Sequence, residues 1–372
     1  MNNRLGALLA ALLAVCLFFV FKVPGFGFVS ARNLSLLMVD FSITATLAIG
    51  MLLVIIPGHI DLSAGSGVGL IGGISAVLMT NHGWPAGGAM LAGLGAAVVL
   101  WWAMGNLIVR ERIPAFIITL GGLLVFRGLF WLVIESHTVP ISVGGRSNLF
   151  AALTTYYLPP IAGYVLAGVI VAVFVFVSLR VRARRLQQGF AITDDEHTFF
   201  RLFIAAQLLF LFVIITNQFR GVPLPALILG TVAFSVWLLT QHTPWGRHLY
   251  AIGGNEEAAL ISGIPVERVT IGAFSLMGAI VALTGLMHTA YGGASTTTVG
   301  ELMELDAVAA CVIGGTSLKG GRGSVLGVLF GALIMACLIN GLTLMAVPPE
   351  IKYIARGAVL IAAVWMDVKL GR

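Results

Sequence analysis

Charge is what this 372-residue chain has least of: Asp, Glu, Lys and Arg make up only 10% of it. A soluble domain of this length would need far more charge to cover its surface, so that class is excluded. Cysteine is also scarce. Cys16, Cys311 and Cys337 all fall within apolar runs and show no C-x-x-C or Cys/His spacing, which argues against a disulfide framework or a metal site. The chain has no G-x-x-x-x-G-K-[ST] sequence, so it lacks the P-loop with which to cradle and hydrolyse ATP. GGTSLKGGRGS at 314–324 comes nearest, but it lacks the Gly-Lys-Ser/Thr ending, and its Lys and Arg suit a turn between two spans. No clustered acid, nucleophile or metal constellation is visible, so no catalytic residue and no bound cofactor are nominated, and the chain is not expected to be an enzyme.

What fills the sequence is hydrocarbon: 59% of residues are hydrophobic and the mean hydropathy is +1.03. Such a composition predicts an all-α, polytopic bundle of helices in a lipid bilayer, the whole of 1–372 forming one domain. About twelve apolar runs are long enough to consider, at 5–21, 34–56, 66–79, 86–108, 113–134, 161–179, 202–216, 224–239, 269–286, 303–318, 325–345 and 351–366. The first, after MNNR, has the outline of a signal peptide but is expected to remain as a span, because more membrane follows it. The runs at 66–79 and 303–318 are short, and each is expected to be a broken or re-entrant helix, tolerated where backbone lines a cavity or is covered by protein. Glycines repeat every fourth position at Gly65, Gly69, Gly73 and at Gly323, Gly327, Gly331, a spacing that lets helices approach closely in lipid.

The net charge of +6 does not point to nucleic acid, because the basic residues sit in short connections. With the amino terminus inside, fourteen Lys and Arg residues fall on the cytoplasmic side: Arg4, Arg110, Arg112, Arg180, Arg182, Arg184, Arg185, Arg201, Arg247, Arg268, Lys319, Arg322, Lys369 and Arg372. Lys22, Arg32, Arg146, Arg220, Lys352 and Arg356 fall outside, and Arg127 lies within a run. That asymmetry predicts both termini in the cytoplasm.

YAIGGNEEAALISGI at 250–264 is therefore a cytoplasmic connection. Asn255 is a good N-cap, Glu256 and Glu257 suit the first turn, and Gly263 suits a stop, so the stretch reads as a helix of about two turns. So short a helix is not stable alone in water. It is either an ordinary loop helix on the membrane face or a docking helix, with Ala258 and Ala259 small enough to enter a partner's cleft.

GGNEEAALISGI resembles the cytoplasmic coupling loop of ribose/xylose-type permeases of bacterial ATP-binding-cassette sugar importers, whose pattern is GGN, any residue, EAA and SGI. PGHIDLSAGS at 57–66 and ELDAVAACVIGGTSLKGGRGSVLG at 304–327 are similar to two further stretches of that family. Members have about ten spans. The extra material near 161–220, with two apolar runs and the loop RVRARRLQQGFAITDDEHTFFR, resembles an insertion of the xylose-type branch. His59 departs from the glycine common in the family's GGIDLS, and EEAAL lacks a frequent Arg.

The resemblance implies a multi-pass protein of the bacterial inner membrane in which two permease copies form the path of a monosaccharide. It implies a separate cytoplasmic ATPase that binds the ATP and a periplasmic binding protein that delivers the sugar. The coupling residues would be Gly253, Gly254, Asn255, Glu256, Glu257, Ala258, Ala259, Ser262 and Gly263. The path would draw on polar groups at membrane depth. His59, Asp61 and Ser63 lie at the end of one span, where Asp61 is either a path residue or a cap, and two possible ligands without a third make no metal site. Glu304 and Asp306 open an apolar helix, as dipole caps or as acceptors for sugar hydroxyls. Arg127 is paired across the bundle or faces a wet path. The competing class is an ion-coupled secondary carrier or a membrane-embedded enzyme; a carrier could use Asp61 or Asp40 as its ion site, but would have no use for a docking helix.

Overall fold

In the computed structural model, which describes residues 2–142, 147–189 and 195–370, each of the twelve apolar runs falls on a helix. Arg146, Arg372 and part of the 180–201 loop, which entered the charge map, lie outside the described residues. Helix α1 (Asn2–Lys22) leads through a 3-10 turn to α2 (Ala31–Ile55), α3 (Ala64–Thr80), α4 (Ala86–Glu111) and α5 (Ala115–Val133). Strand β1 (Val139–Pro140), α6 (Leu149–Thr155) and β2 (Tyr157–Leu158) come next, then the pair α7 (Pro160–Gln187) and α8 (Asp195–Asn217). Beyond β3 (Val222–Pro223) follow α9 (Leu224–His242), α10 (Pro244–Gly254), α11 (Glu256–Ile261) and α12 (Val266–Gly292). The chain closes with β4 (Ala294–Ser295), α13 (Met303–Ile313), α14 (Val325–Leu344) and α15 (Pro349–Leu370).

Two small antiparallel ladders, β1 with β4 and β2 with β3, gather at one end of the bundle, while α10 and α11 lie at the other. By length and composition, eight helices among the described residues can cross a membrane, and α1 and α3 add shorter apolar ones. The axis of the bundle is α2. Its apolar window is 83% buried, and α12 and α14 pack on it. The corresponding windows of α5, α7 and α8 are 17%, 11% and 6% buried, as expected of helices whose apolar sides face lipid. Helices α7 and α8, the sequence-atypical pair, build a small core of their own around Ala167, Val213 and Val222, and α8 alone leans on α2.

The two short runs turn out differently. Helix α3 is continuous over its 17 residues, so the expected break is not there. The run at 303–318 does break: α13 has eleven residues, about 16 Å of helix against a hydrocarbon thickness of about 30 Å. An irregular stretch at 296–302 completes the distance, with Gly300 and Leu302 in the left-handed region. Both glycine rows serve this element. A Cβ at Gly65 or Gly69 of α3 would strike the carbonyls of Gly300 or Val299, and one at Gly327 or Gly331 of α14 would strike those of Gly314 or Ala310. The segment 296–314 is thus wedged, backbone to backbone, between α3 and α14.

Candidate functional site

At the α10 end the sequence builds a joint. Helix α10 starts with Pro244 in its first turn and Thr243 as N-cap, the hydroxyl accepting from the Gly246 amide at 3.2 Å. It buries Leu249 and Ile252 and keeps Arg247 exposed, a surface helix lying on the bundle. Sequence patterning had assigned no helix to 244–252. The Tyr250 hydroxyl donates to the Gly323 carbonyl at 2.9 Å and accepts from Gln241 Nε2 at 3.1 Å. Gly253 lies where a side chain is impossible: a Cβ there would collide with the Ile56 carbonyl and the Gly321 amide, which are themselves hydrogen-bonded at 2.9 Å. Three backbones therefore meet at one point: the α10 terminus, the α2–α3 turn and the α13–α14 loop.

Asn255 ends α10 and caps α11, its Oδ1 accepting from the Ala258 amide at 2.9 Å. Glu256 and Glu257 occupy the exposed first turn, the Ser262 hydroxyl donates to the Ala258 carbonyl, and Gly263 takes φ +79° to end the helix. In these respects the loop folds as its sequence indicates. One correction concerns its tip. Ala259 is buried against the helix bundle itself and cannot enter a partner, whereas Leu260 and Ile261 are 64% and 87% exposed. Two bare aliphatic side chains thus stand at the end of a capped, acidic helix. His59, in the α2–α3 turn, packs near the Phe274 ring. Burial lowers its pKa, and the negative charge of Glu256 pulls it partway back, which ties the turn electrostatically to α11.

Asp61 has a different setting from a path residue. It has no exposed surface, and both carboxylate oxygens are satisfied by protein: Oδ1 accepts from the Ser63 amide at 2.9 Å and the Ser63 hydroxyl at 2.6 Å, and Oδ2 from Trp101 Nε1 at 2.6 Å. The group pins the α2–α3 turn to α4. Thr119 of α5 adds a hydrogen bond to the Ile60 carbonyl at 3.1 Å.

The other nominated residues cluster around the broken segment in the half of the bundle toward the ladders. Arg127 of α5 pairs with Glu301 at 3.6 Å and lies over the Trp131 ring, and Arg356 of α15 pairs with Asp306 at 3.4 Å. Arg356 had been counted among the outer-side charges; the structure turns it toward α13, its side chain 27% exposed. Glu304, 5% exposed, borders a narrow space with Arg127 and Ser66. Next to it opens a cavity of about 230 Å3 between α2, α12, α13, α14 and α15, lined by Asp40, His288, Glu301, Asp306, Asn340 and Arg356 among others. Of the six nominated path residues, only Asp306 lines this cavity. Sequence reading missed His288, Glu301 and Asn340 and counted Arg356 only as an outer-side charge, although single polar groups in or beside apolar runs are the signal that could have found them. Among the described residues no group of three His, Cys, Asp or Glu could hold a metal ion.

With this geometry in view, comparison with known proteins gives a consistent answer. The family described as "branched-chain amino acid transport system / permease component" matches residues 33–364. The xylose transport system permease protein XylH of Escherichia coli K12 is 38% identical over 99% of this chain and 92% of its own length. XylH of Haemophilus influenzae is likewise 38% identical, over 98% and 96%. The ribose import permease protein RbsC of Escherichia coli K12 is 32% identical over 92% of this chain and 88% of its own. No solved structure gives a significant match. A bundle of apolar helices carrying a jointed surface helix with an exposed tip, alike along nearly its whole length to these permeases, belongs to the family of branched-chain amino acid-type transport permease components.

Proposed function

We propose that this chain is the membrane-spanning permease subunit of an ATP-driven importer for a monosaccharide, xylose or a closely related sugar. The observation that carries this reading is the similarity to xylose permeases, which extends over 98–99% of the chain. Two copies form the path, a separate ATPase docks on the Leu260–Ile261 tip of α11, and a periplasmic binding protein delivers the sugar at the ladder end. The whole chain is one membrane domain of twelve spans in the inner membrane of a bacterium, with α7 and α8 inserted into a ten-span plan and both termini cytoplasmic. The permease does no chemistry on the sugar and holds no cofactor; ATP is bound by the partner.

Mechanism follows from the joint. The partner's stroke, applied at α11, reaches α10 through the shared residue Asn255 and passes by backbone contact at Gly253 into the α2–α3 turn and the α13–α14 loop. Uptake of D-xylose or D-ribose by vesicles holding permease and ATPase tests the reading. Uptake should require internal ATP and external binding protein and be indifferent to ion gradients; uptake driven by an ion gradient without the ATPase would establish a secondary carrier instead.

A further inference from the structure

Because each copy contains its own polar cavity, the sugar need not be handled only at the seam between copies. We propose that the cavity between α2, α12, α13, α14 and α15 is a monosaccharide-binding site within each permease chain; this rests on the sugar-importer reading above.

Charge decides the class of ligand. Two of the three lining carboxylates are already matched, Asp306 by Arg356 at 3.4 Å and Glu301 by Arg127 at 3.6 Å. A cation would have to displace a guanidinium at two of the three acids, and an anion would face Asp40 together with both others. A neutral ligand meets neither obstacle. Two buried nitrogens of lining residues, His288 Nδ1 and Arg356 Nε, have no protein partner. An unmatched buried polar atom is costly, so these two call for a ligand or water that can both accept and donate. A sugar hydroxyl does both. Thr44 and Thr298 add hydroxyls to the lining, and Ala336 contributes a small apolar patch.

Size agrees. About 230 Å3 corresponds to roughly seven waters at about 30 Å3 each, the scale of one sugar ring. Position agrees as well: one wall is the irregular stretch before α13, and non-helical backbone at membrane depth is stable where it borders a polar space.

The test uses the full transporter in vesicles, with D-xylose and D-ribose as probes and sugar imported and ATP hydrolysed measured together. Ala336→Phe fills the cavity, and His288→Ala and Thr44→Val each remove one polar group from its wall. Ala336→Phe should cut uptake by about tenfold and the other two by about threefold to fivefold, each raising the ATP consumed per sugar, because the stroke continues while the cargo is held poorly. Thr44→Val changes shape least and covers the case in which a larger change fails to insert. Wild-type uptake by all three variants overturns the proposal. So does a fall in uptake and hydrolysis by the same factor, which would show the cavity only to be packing. If the wild-type system imports neither sugar, the importer reading itself fails, a result distinct from both.

Discussion

Alanine at Gly253 and alanine at Gly254 differ by one position and should differ sharply in effect. At Gly253 the new Cβ would sit against the Ile56 carbonyl oxygen and the Gly321 nitrogen, and 3.0 Å from the Ile56 carbonyl carbon. All three are backbone atoms and cannot rotate away. The α10 terminus would have to lift from the joint, straining the Gly321-to-Ile56 hydrogen bond. Overpacking costs about 1–3 kcal/mol and the hydrogen bond about 1 kcal/mol, so Gly253→Ala should destabilise the joint by about 2–4 kcal/mol. At Gly254 a Cβ meets nothing within 4 Å, and the change should stay within about 0.5 kcal/mol. The assay is thermal unfolding of the purified permease beside ATPase co-purification and sugar uptake. Gly253→Ala should keep its ATPase, since Leu260 and Ile261 are untouched, yet lose most uptake; Gly254→Ala should match wild type in all three. Equal uptake by the two variants, with equal unfolding midpoints, would refute the argument that force passes through this contact.

At the tip, Leu260→Asp with Ile261→Asp should detach the ATPase while the permease still inserts, and reversing Glu256 and Glu257 to Arg should weaken co-purification most at low salt. Ala259→Trp should instead lower the unfolding midpoint of the permease alone, because that residue faces inward. Asp61→Asn presents an amide to Ser63 or to Trp101, both of which donate, and should cost about 1–3 kcal/mol with uptake falling only as far as stability does; normal unfolding with uptake lost would return Asp61 to the path. Cysteines introduced at the exposed positions Ser147 and Gln188, at opposite ends of the bundle, should react from opposite sides with an impermeant thiol reagent, Gln188 from the cytoplasm; labelling from one side would break the twelve-span plan.

How much of this could be read beforehand depended on how local the chemistry was. The cap by Asn255, the acidic turn and the stop at Gly263 are set by residues within one or two helical turns of each other, and they formed as read. Helix α10 went unnoticed because a surface helix at a membrane face mixes Trp, Arg, His and Tyr in no clear apolar run. The run at 303–318 overstated its helix, since hydropathy continues through Ile313 into the loop and cannot mark where glycines end it. Asp61 was recognised as unusual, but its partner Trp101 lies 40 positions away and no local pattern joins them. The cavity was illegible for the same reason on a larger scale: Asp40, His288, Asp306, Asn340 and Arg356 come from five different helices, and only their packing brings them to one space.

Joint and cavity are also built on the same pieces. Helix α2 ends at the joint in Ile56 and lines the cavity with Asp40; α14 starts beside Gly323, which Tyr250 holds, and lines it with Asn340. Between them α13 is locked to α14 by contacts at Gly327 and Gly331 too close for any side chain, so a displacement of the α13–α14 loop has no soft layer to absorb it. Asp306, at the far end of α13, must then move with the loop, and it is held to Arg356 of α15 by a single ion pair at 3.4 Å. A push that enters at Gly253 therefore arrives, through stiff backbone contacts, at the wall of the polar cavity, where the Asp306–Arg356 ion pair crosses between two packed helices. That is the place where a small displacement can change what the cavity holds.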